Sequence, residues 1–278
     1  MLSKEILKAL GEEGFIVAPG ESEEAFVKRV DTLRLLAKEP EKFLQIETYE
    51  SWSGEKSNIL GAKPDWIPWA YSNKKLLPWQ GAVMWLFEGE GDKQFPIIQL
   101  RREFKKGRYL FYSKEEVLWH EALHAIRMGY KEPRFEEILA YYHSSSKVRK
   151  FFGPLFRKPS QALIFLSLIL LSIGLQVSSL FFLNPSLLPL MKGALLLPLL
   201  DLTLRSARLI RDQRILKKAL KKLSEIFSNH QEVFPIAIRL KDTEIESFAM
   251  DPIEKILKEI EEKIPHSLRW RQILAQFC

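Results

Sequence analysis

From Ser160 to Leu183 the chain carries no charged residue, and nothing else in it restricts the possible folds so strongly. At about 1.5 Å per residue, a helix of this length crosses a hydrocarbon core of roughly 30 Å, so the stretch reads as a transmembrane helix. Asn184-Pro185 predicts a turn. Ser186 to Leu204 forms a second apolar run, interrupted by Pro189, Lys192 and Pro198. It reads as the return span of a hairpin, with a re-entrant or interfacial helix as the alternative. Lys147, Arg149, Lys150, Arg157 and Lys158 precede the pair. Arg205, Arg208, Arg211, Arg214, Lys217, Lys218, Lys221 and Lys222 follow it. Positive charge on both flanks places both on the cytoplasmic side, with the turn on the far side. The net charge of +7 is thereby assigned to anionic lipid head groups, and nucleic acid is not an expected partner.

Two further readings bound the chain. Cys278 is the single cysteine of 278 residues, so no disulfide can form within the chain and a reducing compartment is expected. The first residues, Met1 to Lys8, interleave charge with apolar side chains and do not read as a secretory signal. The expectation is an integral membrane protein, of the inner or cell membrane if bacterial, with both termini cytoplasmic.

The chemistry lies upstream, in Val117–Ile126, where His120-Glu121-Ala122-Leu123-His124 has the form His-Glu-x-x-His. On a helix, residues four apart share a face, so both imidazoles can hold one metal ion. Glu121 projects beside that ion, where it can take a proton from a water. The flanking Val117, Leu118, Ala122, Leu123, Ala125 and Ile126 are uncharged, as a buried helix requires. Ser113-Lys114-Glu115-Glu116 predicts a capping box at its start, and Gly129 a C-terminal cap after about Met128.

Around this helix, short helices are predicted over 3–10 and 23–38, with Ser22 capping the second. Phe15–Ala18 predicts a short strand. Residues 48–80 read as an ordered loop packed through Trp52, Trp66, Trp69 and Trp79, with a cleft wall or interfacial contact as the alternative. Ala82–Phe87, Phe95–Leu100 and Arg108–Tyr112 predict a small antiparallel sheet. Arg134–His143 predicts a helix bearing Glu136, Glu137 and His143. Val233–Leu240 predicts a strand, and Ile253–Ile264 an amphipathic helix.

A catalytic zinc site uses three protein ligands. Arg127 and Tyr130 stand where an H-E-x-x-H-x-x-G-x-x-H pattern needs glycine and histidine, so the third ligand must come from elsewhere. Glu136, Glu137 and His143 are the candidates. Glu137-Ile138-Leu139-Ala140 has the form E-x-x-A. With His-Glu-x-x-His before it, this resembles the gluzincin metallopeptidases, loosely the membrane-embedded CAAX-processing and heat-shock zinc proteases. The resemblance implies zinc held by His120, His124 and Glu137, with Glu121 as general base. It also implies an oxyanion-stabilising role for His230 or Arg239. Two departures stand out: Tyr141 replaces the aspartate that follows the alanine in that family, and both motifs precede the membrane hairpin.

The expected class is α+β: a zincin-like catalytic domain over 1–146, a transmembrane hairpin over 147–222 and a cytoplasmic segment over 223–278 that completes the catalytic domain. The expected function is a membrane-anchored zinc metallopeptidase acting on peptide or protein substrates near the bilayer. The alternative is a non-catalytic membrane-anchored scaffold with a structural or degenerate metal site.

Overall fold

Five helices begin at a serine whose hydroxyl accepts the amide three residues on, which supplies an orphan donor of the first turn. They are α1 (Lys4–Glu12), α2 (Glu23–Leu36), α3 (Lys114–Ile126), α5 (Lys147–Phe152) and α11 (Leu268–Phe277), capped by Ser3, Ser22, Ser113, Ser146 and Ser267. The computed structural model describes residues 1–46, 48–52, 59–77, 80–88, 94–181, 188–228 and 233–278. Trp79, the Asn184-Pro185 turn and His230 lie outside them, as does most of the loop expected between the first two strands.

The sheet is small and mixed. Its order is β1 (Trp69–Tyr71), β3 (Gln94–Leu100), β2 (Ala82–Glu88), with β1 parallel and β2 antiparallel to β3. The expected wholly antiparallel sheet is therefore corrected by β1, which sits inside the tryptophan-rich stretch read as a loop. β1 is three residues long, too short to show an alternating pattern. Trp52, Trp66 and Trp69 are core residues. Trp52 lies 5.2 Å from Trp119 between ring centroids, and Trp66 stacks on Phe15 at 4.8 Å.

The third expected strand folds back on itself. β4 (Arg108–Tyr109) and β5 (Tyr112–Ser113) pair around Leu110, whose φ is +51°. Phe15–Ala18 is extended but joins no strand. Its polar groups are met by side chains: Val17 N donates to Gln272 Oε1 at 2.9 Å, and Ile16 O accepts from Arg29 at 2.8 Å. Val233–Leu240 is not a strand. Phe234–Ala237 forms the short helix α8, with Pro235 in its first turn. A fully buried apolar run does not distinguish strand from helix, and Pro235 has no amide to give a ladder.

α6 (Pro159–Phe181) and α7 (Leu188–Ile226) pack along one another. Ser172 Oγ donates to Ala194 O at 2.6 Å and Gln176 Nε2 to Met191 O at 3.1 Å. Their outer faces are bare of protein: Leu163, Leu166, Leu170, Leu196 and Leu199 are all half or more exposed. In α6, the 20 residues Pro159–Ser178 have a mean hydropathy of 2.0, enough by length and composition to cross a membrane. Among the described residues no other helix meets that test, so the expected second span is not matched by an independent apolar helix. Its residues are instead the first half of α7, which continues unbroken into the basic stretch.

Beyond the membrane-like pair, α7 packs on α9 (Asp242–Met250), and α11 packs on α1. α10 (Ile253–Lys263) covers the outside through Ile256 and Ile260. One hydrophobic core runs from Leu7 to Phe277, so residues 233–278 share it with the first 140.

Candidate metal centre

α3 lies against β2 and β3 and carries His120, Glu121 and His124 on one side. Its opposite side buries Leu118, Ala122 and Ala125 completely. That burial on one face and polarity on the other fixes how the helix is turned. Half of the expected capping box forms: Ser113 Oγ accepts the Glu116 amide at 3.2 Å. The Glu116 carboxylate turns away from the box and accepts from Ser145 Oγ at 2.9 Å and from Arg149 at 2.6 and 3.0 Å. This ties α5 to the start of α3. The helix ends at Ile126, with Arg127 at the C-cap. Gly129 answers to a close approach: a Cβ there would meet Ala18 Cβ at 2.7 Å.

A short helix, α4 (Glu136–Ala140), brings Glu137 over the two histidines. His120 Nε2 and His124 Nε2 are 3.3 Å apart. Glu137 Oε2 lies 3.9 Å from the first, and Glu137 Oε1 lies 3.5 Å from the second. Taken together, one ligand atom from each of the three falls within 4.8 Å of the others. A tetrahedral ion about 2.0–2.1 Å from each donor would set the donors roughly 3.3–3.4 Å apart; the His–His and His124–Glu137 separations are near this and His120–Glu137 is longer, and two imidazoles with a carboxylate suit zinc among other divalent ions.

Glu136 has a different position from its neighbour. Its Oε1 accepts from His124 Nδ1 at 3.1 Å, and its Oε2 accepts from Arg127 Nε at 2.6 Å. Glu136 therefore orients a ligand and does not join the cluster. Arg127 is fully buried and donates onward to the carbonyls of Ile238 and Leu240. His120 is braced from its other side by the backbone of Ala140. The ring of Tyr141 meets that of His120 at 4.5 Å between centroids. With Tyr141 where the resemblance expects an aspartate, the side-chain and backbone partners of the two imidazoles are Glu136 for His124 and Ala140 for His120. Nothing in the spacing of Glu136 from His124 announces this. Arg127, a charge one turn beyond His124 on the side of the helix that carries both histidines, was the available signal.

The electrostatics divide the two histidines. Burial and the neighbouring His124 push His120 down to about 3, which leaves it neutral and ready to coordinate. Burial also disfavours charge on His124, but Glu136, Glu137 and Glu121 outweigh it and raise His124 to about 9. Burial raises Glu121, and the Glu137 charge adds to this, against the pull of His124 and a hydrogen bond from the Met84 backbone. Burial raises Glu137 as well, opposed by His124 and Arg157. Burial alone would raise Glu136; Arg127 and His124 hold it below the usual range.

A cleft of about 180 Å³ opens onto this cluster, lined by His120, Glu121, Tyr141, Tyr112 and the start of β2 at Gly81 and Ala82. β2 is an edge strand. Arg101 N donates to Gly81 O, and Pro96, which has no amide, stands opposite Leu86. The alternation this sets turns the polar groups of Ala82, Met84 and Leu86 to the edge that no described strand covers, where the Met84 amide donates to Glu121. β3, between β1 and β2, is the central strand and is closed on both sides.

Arg239 is not brought to the cluster. It is fully buried and donates to the carbonyls of Pro235 at 2.5 Å and of Leu60 and Gly11 at 3.3 Å, with its guanidinium 5.0 Å over Phe277. It ties three segments of the core together, and an oxyanion role does not fit that position. His143 packs on Phe234 at 4.6 Å and is exposed, away from the cleft. A residue not singled out by its sequence position is Asp212, the one acid among the eight cations of 205–222. It is buried and accepts from Arg134 at 2.8 Å and Arg157 at 2.8 Å. That lone opposite charge was its signal. Comparison of the chain with protein-family models, with curated proteins and with solved structures gives no match.

Proposed function

We propose that the chain is a membrane-anchored zinc metallopeptidase of gluzincin type. The observation that carries this reading is the convergence of His120, His124 and Glu137 beside Glu121, with His120 and Glu121 lining an open cleft. When bound there, zinc supplies a Lewis acid and lowers the pKa of a coordinated water. His120 and His124 coordinate through Nε2, and their other nitrogens are held by Ala140 and Glu136. Glu121 takes the proton of the attacking water and returns it to the leaving amine. Its raised pKa brings it nearer the working pH, where such a base is most effective. An extended peptide pairs with the edge of β2 that no described strand covers, which places its carbonyls over the cleft. Tyr141 and Tyr112 line the same cleft and are the hydroxyls available to a developing oxyanion.

The exposed apolar faces of α6 and the first half of α7 support a bilayer around them, with Lys158, Arg205 and Arg208, the cations nearest their ends, at cytoplasmic head groups. The site then lies on the cytoplasmic side, near the membrane, and membrane-proximal proteins are the substrates. The test is purified full chain assayed for zinc content and for cleavage of an unstructured protein such as casein. Bound zinc at one per chain, with cleavage lost in Glu121→Gln and zinc retained, supports the enzyme. Absence of zinc after reconstitution removes it.

A further inference from the structure

On the far side of α4 from the metal cluster lies a larger groove, about 630 Å³, between α4, α5 and α7. Its floor is apolar: Ile138 and Tyr142 from the α4 segment, and Leu216 and Leu220 from α7. Its rims are basic. Lys147 and Lys150 stand one turn apart on α5, and Lys217 and Lys221 one turn apart on α7. All four are exposed, and no acidic residue is among the lining. Lys150 lies 4.3 Å over the Tyr142 ring, and Lys221 has only a loose contact with Glu225 at 4.0 Å. Among the described residues Lys147 and Lys217 face no carboxylate. Gln213 Nε2 donates to the carbonyls of Lys150 and Phe151, each at 3.3 Å, and so clamps the two walls at a set distance.

We propose that this groove binds a single-chain anionic amphiphile: an alkyl chain on the apolar floor, with a carboxylate or phosphate held between the lysine pairs. The volume lies in the range of small-ligand pockets, about 300–1,000 Å³. A three-turn amphipathic helix, about 10–12 Å across, fills more than roughly 1,000 Å³ and exceeds this volume. Leu220 is about 24 Å along α7 from Leu204, where the apolar half ends. A lipid must therefore leave the bilayer to reach the groove, which single-chain amphiphiles do readily and two-chain lipids do not. Four exposed lysines around an apolar strip, with no carboxylate among the described lining residues, select an anionic head over a zwitterionic one.

The test uses the full chain in nanodiscs of zwitterionic phospholipid, treated with EDTA so that the outcome does not depend on the metal centre. A fluorescent fatty acid is bound, with empty nanodiscs as blank, and displaced by palmitate, lysophosphatidate or lysophosphatidylcholine. Palmitate, lysophosphatidate or both should displace the probe at concentrations at least tenfold below lysophosphatidylcholine. Which of the two acts identifies the head group. The double charge reversal Lys217→Glu with Lys221→Glu should weaken probe binding at least tenfold. Lys218→Glu, exposed but outside the lining, should leave it unchanged. Equal displacement by lysophosphatidylcholine, full binding by the double variant, or displacement by an acidic amphipathic peptide alone would overturn the proposal.

Discussion

Glu136 and Glu137 are adjacent carboxylates, and what separates them is their partners. Glu137 faces both Nε2 atoms, whereas Glu136 is held between His124 Nδ1 and the buried Arg127. Glu137→Gln should therefore abolish stoichiometric zinc, while Glu136→Gln should keep it with roughly 10–100-fold weaker affinity. Equilibrium dialysis against a zinc chelator measures both. For Glu121→Gln, zinc binding should persist and turnover should fall by about 10²–10⁴-fold, the usual contribution of general acid–base catalysis. The pH dependence follows from His124, raised to about 9 by the carboxylates around it. Below that value the metal must displace a proton, so zinc affinity should rise with pH, by about tenfold per unit between roughly 6.5 and 9. Calorimetry in buffers of different ionisation heat should find about one proton released per ion at pH 7. An affinity flat across this range would show that His124 is neutral without metal. At this scale the sequence was informative because the helical spacing of His120 and His124 needs no tertiary knowledge. The choice between Glu136 and Glu137 was not legible, since it depends on the turn of α4 over α3.

Elements are joined here by buried or half-buried ion pairs. Glu116 is held below the usual carboxylate range: burial would raise it, but Arg149, Ser144 and Ser145 outweigh this. Asp212 behaves likewise, with Arg134 and Arg157 overcoming burial. Both folded pKa values are depressed, so both pairs contribute stability that is complete above the unfolded values of about 4. That stability is lost as pH falls through the folded values. Thermal melts should accordingly drop between neutral and acid pH, and by less in Asp212→Asn. At pH 7 that variant leaves Arg157 without its anion and Arg134 with Glu246 alone. It should cost about 2–3 kcal/mol, below the usual figure for a buried pair because both guanidinium groups are partly exposed. The helices α2, α3 and α10 were legible from caps and apolar stripes. The Val233–Leu240 strand was misread because burial on every side erases periodicity, and β1 because three residues cannot show one.

At the scale of the whole molecule, the membrane reading makes a prediction that uses the single thiol. Cys278 is exposed at the end of α11. If both flanks of the apolar pair are cytoplasmic, a membrane-impermeant maleimide should label Cys278 in inside-out vesicles and not in intact cells or spheroplasts. Carbonate washing should leave the chain with the membranes. Labelling from outside would reverse the topology, and release by carbonate would remove the span. The basic flanks of the hairpin were plain in the sequence. That α7 would run on as one helix from the apolar stretch into the core was not, since Lys192, Pro198 and Asp201 interrupt the pattern.

The order in which this fold is closed has a consequence for its synthesis. Gln272 bonds the carbonyls of Leu7 and Phe15, and Arg239 bonds those of Gly11 and Leu60. Arg127, which steadies Glu136 at the metal cluster, rests on Ile238 and Leu240. Every residue of the proposed centre has left the ribosome before any of these supports is made. At about 5–20 residues per second, the wait from Ala140 to Cys278 is roughly 7–28 s, and the apolar hairpin emerges within it. A nascent chain therefore holds its histidines without the scaffold that aligns them. The proposed centre is assembled only after α6 and α7 have emerged, so a chain stalled before that point carries no aligned site.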